Sequence, residues 1–223
     1  FLKASYVAKT LEIGETETLV VNLQGLDCTT FVENVLAFSL MLKEDKTSFE
    51  DFTETLETIR YKDGYLDGYA SRLHYFSEWI ANNAKKGLLQ DITGEIGGAE
   101  ITKVINFMSE HRDLYPFLAD DSNFEKIKGS EKYLNSRPIC VLAQDQIAEN
   151  EHLIQSGDII ALATSINGLD VTHTGIATRE ADGRIHLLHA STGSMEVEVS
   201  EKPLAEYLKK VKGNTGIMVA RPL

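Results

Sequence analysis

Cysteine is scarce in this chain: Cys28 and Cys140 are the only two thiols in 223 residues. An even count allows one disulfide, but the spacing matches no small disulfide scaffold. Cations are also short, with 22 Lys and Arg against 34 Asp and Glu and a formal net charge of −12. That balance argues against nucleic acid, whose phosphates call for a basic face, and against an anionic membrane surface. No apolar run approaches the roughly 18 residues of a membrane span. The longest, Val35 to Leu42, is interrupted by Ser39 and fits a buried helix. Internal repeats, low-complexity tracts and long linkers are missing as well, so residues 1–223 read as one domain. The chain opens on Phe1 rather than Met, as it would after a leader is removed, which hints at export.

What is present falls into two halves. Residues 28–135 read as mostly helical. Phe31, Val35, Phe38 and Leu42 recur at helical spacing, as do Phe49, Phe52, Leu56 and Ile59. A third helix is predicted over Leu73 to Lys86, stopped by Gly87, and Ile101, Val104, Ile105 and Met108 mark a fourth. Residues 157–221 read as β-rich, with strands at Asp158–Ala163, Val171–Thr178, Arg184–Ala190, Glu196–Val199 and Gly216–Arg221. Pro203 opens a short helix, Leu204 to Lys210. Helices followed by a largely antiparallel sheet give an α+β fold.

Three short phrases carry the chemistry: Asp27-Cys28-Thr29-Thr30-Phe31, His173-Thr174-Gly175-Ile176-Ala177 and His189-Ala190-Ser191. Asp27 can cap the helix that Cys28 begins. The free amides and dipole of that first turn favour an anion, so the thiol is expected to ionise more readily than a free one. The same amides can hold an oxyanion. A structural cysteine at a helix start is the plain alternative. Cys140, in the apolar run Pro138–Leu142, reads as a buried, inert thiol.

The two histidines belong to a predicted hairpin. With a three-residue loop at Ala181-Asp182-Gly183, paired residue numbers sum to 364, and Gly175 falls opposite His189. His173 and His189 then share one strand face as diagonal neighbours, with Ile185 and Leu187. A two-residue Asp182-Gly183 turn would place them on opposite faces. By the same parity His186 faces away from His189, so the three histidines do not converge on a metal. His186 reads as a solvated strand residue and His152 as part of a polar loop. Cys28 as nucleophile, His173 as base and His189 as its orienter need no metal or organic cofactor.

These three blocks resemble the catalytic blocks of the NlpC-type cell-wall peptidases, a papain-like cysteine peptidase superfamily. The resemblance implies a core of a catalytic helix and an antiparallel sheet, here with a large helical insertion. Ala4-Ser5-Tyr6-Val7-Ala8 is similar to the superfamily's tyrosine segment, which adds Tyr6 as an oxyanion or substrate residue. Thr29-Thr30 stands where Ser-Gly is commoner, and Lys9-Thr10-Leu11-Glu12 stands where a glycine pair is commoner. Further blocks, Arg72-Leu73-His74-Tyr75-Phe76, Phe107-Met108-Ser109-Glu110-His111, Gly168–His173 and Ala220-Arg221-Pro222, look like a branch linked to N-acetylmuramoyl-L-alanine amidase activity. That likeness implies a bacterial, exported, periplasmic enzyme. It would cleave the lactyl–L-alanine amide of peptidoglycan fragments, ordinary or anhydro-muropeptides.

The insertion is where selectivity is expected. Arg72 can pair with a stem-peptide carboxylate, Tyr75 can stack on a sugar, and His74, Ser109 and His111 can line the site. Each has a structural alternative: Arg72 and His74 exposed on a helix, Tyr75 in the core, His111 ending its helix. Asp170 is either a site residue or part of the turn before the His173 strand. Two rival functions stand beside the amidase: a γ-D-glutamyl-diamino-acid endopeptidase with the same catalytic residues, and a non-catalytic cell-wall binding protein.

Overall fold

In the computed structural model, which describes residues 1–223, seven helices and ten strands alternate along the chain. The order begins β1 (Ser5–Tyr6), β2 (Gly25–Leu26), α1 (Cys28–Lys43), α2 (Phe49–Arg60), α3 (Phe76–Lys85), β3 (Leu89–Asp91) and β4 (Ala99–Ile101). It continues with α4 (Phe107–Glu110), α5 (Asp121–Asn135), β5 (Ile139–Ala143), α6 (Ile147–Asn150), β6 (Ile159–Thr164), β7 (Val171–Arg179) and β8 (Ile185–Ser191). It ends with β9 (Glu196–Val199), α7 (Leu204–Leu208) and β10 (Asn214–Pro222). The strands form one sheet in the order β2-β1-β9-β8-β7-β6-β10-β5-β4, with β3 also on β10. Every pairing is antiparallel except β1–β2. No helix is long and apolar enough to cross a membrane.

Both faces of the sheet are covered. On one, Phe31 and Leu36 of α1 and Trp79 of α3 pack on Ile159, Ile176 and Ala190. On the other, Ile147, Leu204 and Leu208 of α6 and α7 pack on Ile160, Leu162 and Leu187. Burial from both sides explains why β6 reads as an unbroken apolar run rather than an alternation. A third cluster, with Tyr69, Tyr75, Leu118 and Leu134, lies within the insertion.

The β-rich half forms near the bounds that alternation predicts, and the helical half departs from expectation in several places. In α1 the buried face includes Val32, Leu36, Ala37 and Met41, while Leu42 is 75% exposed. The third helix starts at Phe76, not Leu73, because the Leu73 amide donates to the Arg60 carbonyl and Arg72 bridges Tyr61. The fourth predicted helix shrinks to α4. Ile101 pairs instead with Ile139 in the sheet and Ile105 bridges Gly168, so long-range strand pairing overrides the helical spacing. The 15-residue helix α5 was not predicted, since few of its residues are buried and apolar. Cys140 is half-buried on β5 rather than enclosed, and burial, Asp91 and Glu100 all push its thiol up. His186 is buried, not solvated; its Nδ1 lies 2.7 Å from the Ser200 carbonyl and its Nε2 lies 3.1 Å from Asp182.

Candidate active site

Asp27 is the N-cap of α1 and Cys28 its first residue. Asp27 Oδ1 accepts from the Thr30 amide at 2.8 Å, and Thr30 Oγ1 accepts from the Asp27 amide at 2.9 Å. Thr30, one of the departures from the commoner motif, thus closes a capping box. The box uses the Thr30 amide and leaves those of Cys28 and Thr29 without helical partners. β1 lies parallel to β2 with Tyr6 opposite Leu26, which sets Tyr6 beside the Cys28 turn.

The histidines arrive by hairpin geometry. The Glu180 amide donates to the Arg184 carbonyl at 3.0 Å, and Gly183 takes a φ of +78°, so the loop is Ala181-Asp182-Gly183. The observed pairs, Ile176–Leu188 through Arg179–Ile185, hold the predicted sum of 364. His173 and His189 share a face, with His173 Nε2 2.7 Å from His189 Nδ1 and the rings edge-on. A bulge precedes His173: Leu162 pairs His173 while Ala163 pairs Val171, so Thr172 has no partner on β6. Such a bulge re-aims the next side chain. At Gly175 a Cβ would sit 2.8 Å from Leu187 Cδ1 and 3.0 Å from His189 Cβ, so only glycine leaves the His189 ring its place.

Cys28, His173, Tyr6, Glu198 and Tyr207 line one pocket of about 550 Å³, rimmed by Ser191–Ser194. The shared proton of the histidine pair occupies His173 Nε2 or His189 Nδ1. With it on His173 Nε2, donating to His189, the His173 Nδ1 is free to accept a proton from the pocket. Burial, then the neighbouring His189, holds His173 down to about 3. Burial, then Asp27, pushes the Cys28 thiol up, against the pull of Thr174 and Thr29. The direction is opposite to the expected easily ionised thiol: burial and the Asp27 charge favour the neutral thiol, as burial favours the neutral His173 imidazole. Tyr6 is raised by burial, by Cys28 and by Asp27.

A second, smaller pocket of about 220 Å³ is lined by Lys9, Glu12, Asp27, Thr29, Arg72 and His74, among others. Asp27 and Thr29, the chain neighbours of Cys28, line this second pocket, while Cys28 itself lines the first. Arg72 reaches this second pocket already engaged, bonded to Glu12 and with its Nε 3.1 Å from Glu17. It is buried, not exposed on a helix. His74 Nε2 lies 2.9 Å from the Tyr69 carbonyl. The other expected substrate residues fall in neither pocket. Tyr75 is a core residue whose hydroxyl donates to Glu131 at 2.8 Å and accepts from the Met108 amide. Ser109 Oγ donates to the Asn106 carbonyl, and His111 ends α4 at the surface against Phe107. Asp170 is fully enclosed and accepts from the Ser77 amide at 2.7 Å and the Val171 amide at 2.8 Å. It ties the start of α3 to the start of the His173 strand.

Sequence reasoning missed Thr174, Glu198 and Tyr207. Thr174 turns its buried hydroxyl to the opposite strand face from His173, and its backbone and then its side chain lower the Cys28 thiol. Glu198 pairs with His189 in register. Extending the pairing rule from the β7–β8 turn to the next turn would have found it. Tyr207 stands edge-on to His189 at 5.4 Å from a helix whose docking no local pattern specifies.

Among solved structures, this fold is similar to an N-acetylmuramoyl-L-alanine amidase from Bacteroides uniformis ATCC 8492, at 42% identity and a TM-score of 0.95, covering 100% of this chain and 94% of that one. A Bacteroides fragilis protein provisionally named a xylanase is similar at 41% identity and a TM-score of 0.93, over 99% and 97% of the two chains. A Legionella pneumophila protein shares the fold alone, at 23% identity and a TM-score of 0.71, over 100% and 85%. No curated protein sequence matches the chain. Residues 1–217 match the family model described as N-acetylmuramoyl-L-alanine amidase-like, and the chain belongs to that family.

Proposed function

We propose that the protein is an exported, periplasmic cysteine amidase on a papain-like, NlpC-type core that cleaves the lactyl–L-alanine amide of muropeptides. The observation that carries the chemistry is the 2.7 Å contact between His173 Nε2 and His189 Nδ1 in a pocket that Cys28 also lines. Family membership supports the substrate class.

Cys28 Sγ attacks the amide carbonyl carbon as its proton passes to His173 Nδ1. The Cys28 amide and the Tyr6 hydroxyl donate to the oxyanion. His173 then gives the proton to the departing alanine nitrogen, the C–N bond breaks, and a thioester remains on Cys28. Water, deprotonated by His173, releases the lactyl carboxylate and restores the thiol. His189 holds the His173 ring in the tautomer that frees Nδ1.

The name of the Bacteroides fragilis neighbour raises a glycosidase reading, which needs two carboxylates across the scissile bond. The Cys28 pocket is lined by one, Glu198. In the second pocket Glu12, Asp27 and Glu33 are engaged by Arg72, Thr30 and Arg60.

The test is incubation with muramyl tripeptide, with and without the anhydro-sugar, beside a Cys28→Ala control, with products identified by mass spectrometry. Free sugar plus intact tripeptide is expected. A sugar-dipeptide plus free diamino acid would make the protein an endopeptidase, and turnover retained by Cys28→Ala would remove the cysteine from the mechanism.

A further inference from the structure

Proton transfer from a neutral thiol to a neutral imidazole creates a positive charge inside a largely desolvated pocket. Such a charge is costly without a counter-charge. The groups that face the histidine pair come from four elements. Cys28 and its neighbour Asp27 lie at the start of α1, Tyr6 on β1, Tyr207 on α7 and Glu198 on β9. Asp27 is spent on capping Thr30 and sits on the thiol side, where its charge opposes thiolate formation.

Glu198 differs in each respect. It pairs with His189 across β8 and β9, so the two side chains leave the same sheet face with Cβ atoms about 4.5–5.5 Å apart. It lines the Cys28 pocket. No hydrogen bond or salt bridge of the protein engages its carboxylate; Lys3, which is paired with neighbouring Glu196, is the one cation whose charge it feels. His189 Nε2, on the far side of the ring from His173, is buried and likewise has no protein partner.

We propose that Glu198 is a positioning residue for the reaction, the ionised carboxylate that stabilises the positive charge of the His173–His189 pair while Cys28 is ionised. The proton that leaves Cys28 Sγ stops at His173 Nδ1, and the His173 Nε2–H continues to donate to His189 Nδ1. Glu198 takes up no proton in this step. It acts from the strand beyond His189, extending the set from thiol to base to orienter by one fixed charge. This inference rests on Cys28 being the nucleophile.

The experiment uses the full chain carrying Cys140→Ser, so that Cys28 is the one remaining thiol. Three readings are taken on this protein and on its Glu198→Gln and Glu198→Asp variants. They are the alkylation rate of Cys28 by iodoacetamide at neutral pH, the pH titration of the His173 and His189 ring nitrogens by NMR, and kcat and KM on muramyl tripeptide. Glu198→Gln should slow alkylation and lower kcat about tenfold with KM little changed, and should move the ring titration to lower pH by about half a unit or more, because a carboxylate that favoured imidazolium is gone. Glu198→Asp should recover part of both effects. Unchanged alkylation and ring titration in Glu198→Gln would overturn the proposal, as would a rise in KM alone, which would make Glu198 a substrate contact. A Cys28 whose alkylation in a further His173→Ala variant matches that of the parent protein would instead overturn the nucleophile reading and this inference with it.

Discussion

The β7–β8 hairpin and the helical insertion are both rich in polar side chains of the kinds that do chemistry, and their motif residues are used differently, although Tyr69, Ser77, Trp79 and Asn83 of the insertion also keep an unpartnered polar atom. In the hairpin, His173 and His189 bond each other, and His189 Nε2 keeps no protein partner. In the insertion, Arg72 is held by Glu12 and Glu17, Tyr75 by Glu131 and Met108, and Ser109 by Asn106. Residue type alone does not mark a site. A polar group is available for chemistry when the fold leaves one of its atoms open toward a pocket, and that depends on partners far away in sequence.

Removing one side of a buried ion pair tests the insertion most severely. Arg72→Ala leaves Glu17, whose side chain is 1% exposed, and Glu12 without their cation. A loss of about 3–5 kcal/mol in urea or thermal unfolding is expected. An unfolding midpoint near wild type with a raised KM would break the comparison, because it would return Arg72 to the substrate.

A smaller and sharper test applies one substitution, glycine to alanine, to both regions. At Gly175 the added methyl would meet Leu187 Cδ1 and the Leu188 carbonyl, each at 2.8 Å, and His189 Cβ at 3.0 Å. Overpacking of this kind costs about 1–3 kcal/mol, and because the neighbour that must yield carries the imidazole proposed to orient His173, kcat should fall with it. At Gly129, in α5, nothing lies within 4 Å of the new methyl. There the same change should stabilise by about 0.5–1 kcal/mol, since alanine loses less backbone freedom in a helix. Unfolding curves that shift in the same direction would contradict the assignment of tight and open backbone in the two regions.

The same contrast governs how much could be read in advance. The hairpin register and the shared face of His173 and His189 follow from a period of two and a loop length, both local quantities. So does the Asp27 cap, set by residues three apart. The capping partner Thr30 and the glycine opposite His189 were visible in the motifs. The insertion obeys no such rule. Ile101 joins a strand because Ile139 is there to pair with it, and Arg72 is consumed by residues some 60 positions away. Glu198 lay one turn beyond the register that was worked out, and its strand was identified without its pairing. The resting state of Cys28 was misjudged for a physical reason. The helix start favours a thiolate, whereas burial and Asp27, which depend on the tertiary fold, push the thiol up.

Protonation gives the finest comparison of the two regions. Burial holds His173 down to about 3 and lowers His189, while in the insertion burial and then Arg72 hold His74 well below its ordinary value. A histidine with a depressed folded pKa binds its proton more readily when unfolded. Its contribution to stability is therefore present above about pH 6.5 and is lost as the pH falls from there toward the folded value, by at most about 1.4 kcal/mol per pH unit for each histidine. His186 has the opposite sign. Burial lowers it, but the Ser200 carbonyl and Asp182 raise it above its ordinary value, so its contribution is present below about pH 6.5 and fades as the pH rises through the folded pKa. Urea midpoints between pH 7 and pH 5 should accordingly fall more gently in His74→Gln than in wild type, with the pH profile of Cys28 alkylation retained. In His189→Gln the stability slope should flatten and the alkylation profile should move as well, because in the proposed mechanism the desolvated imidazole belongs to the proton path. Two variants with equal stability slopes and different alkylation profiles would separate a histidine that serves the fold from one that serves the thiol.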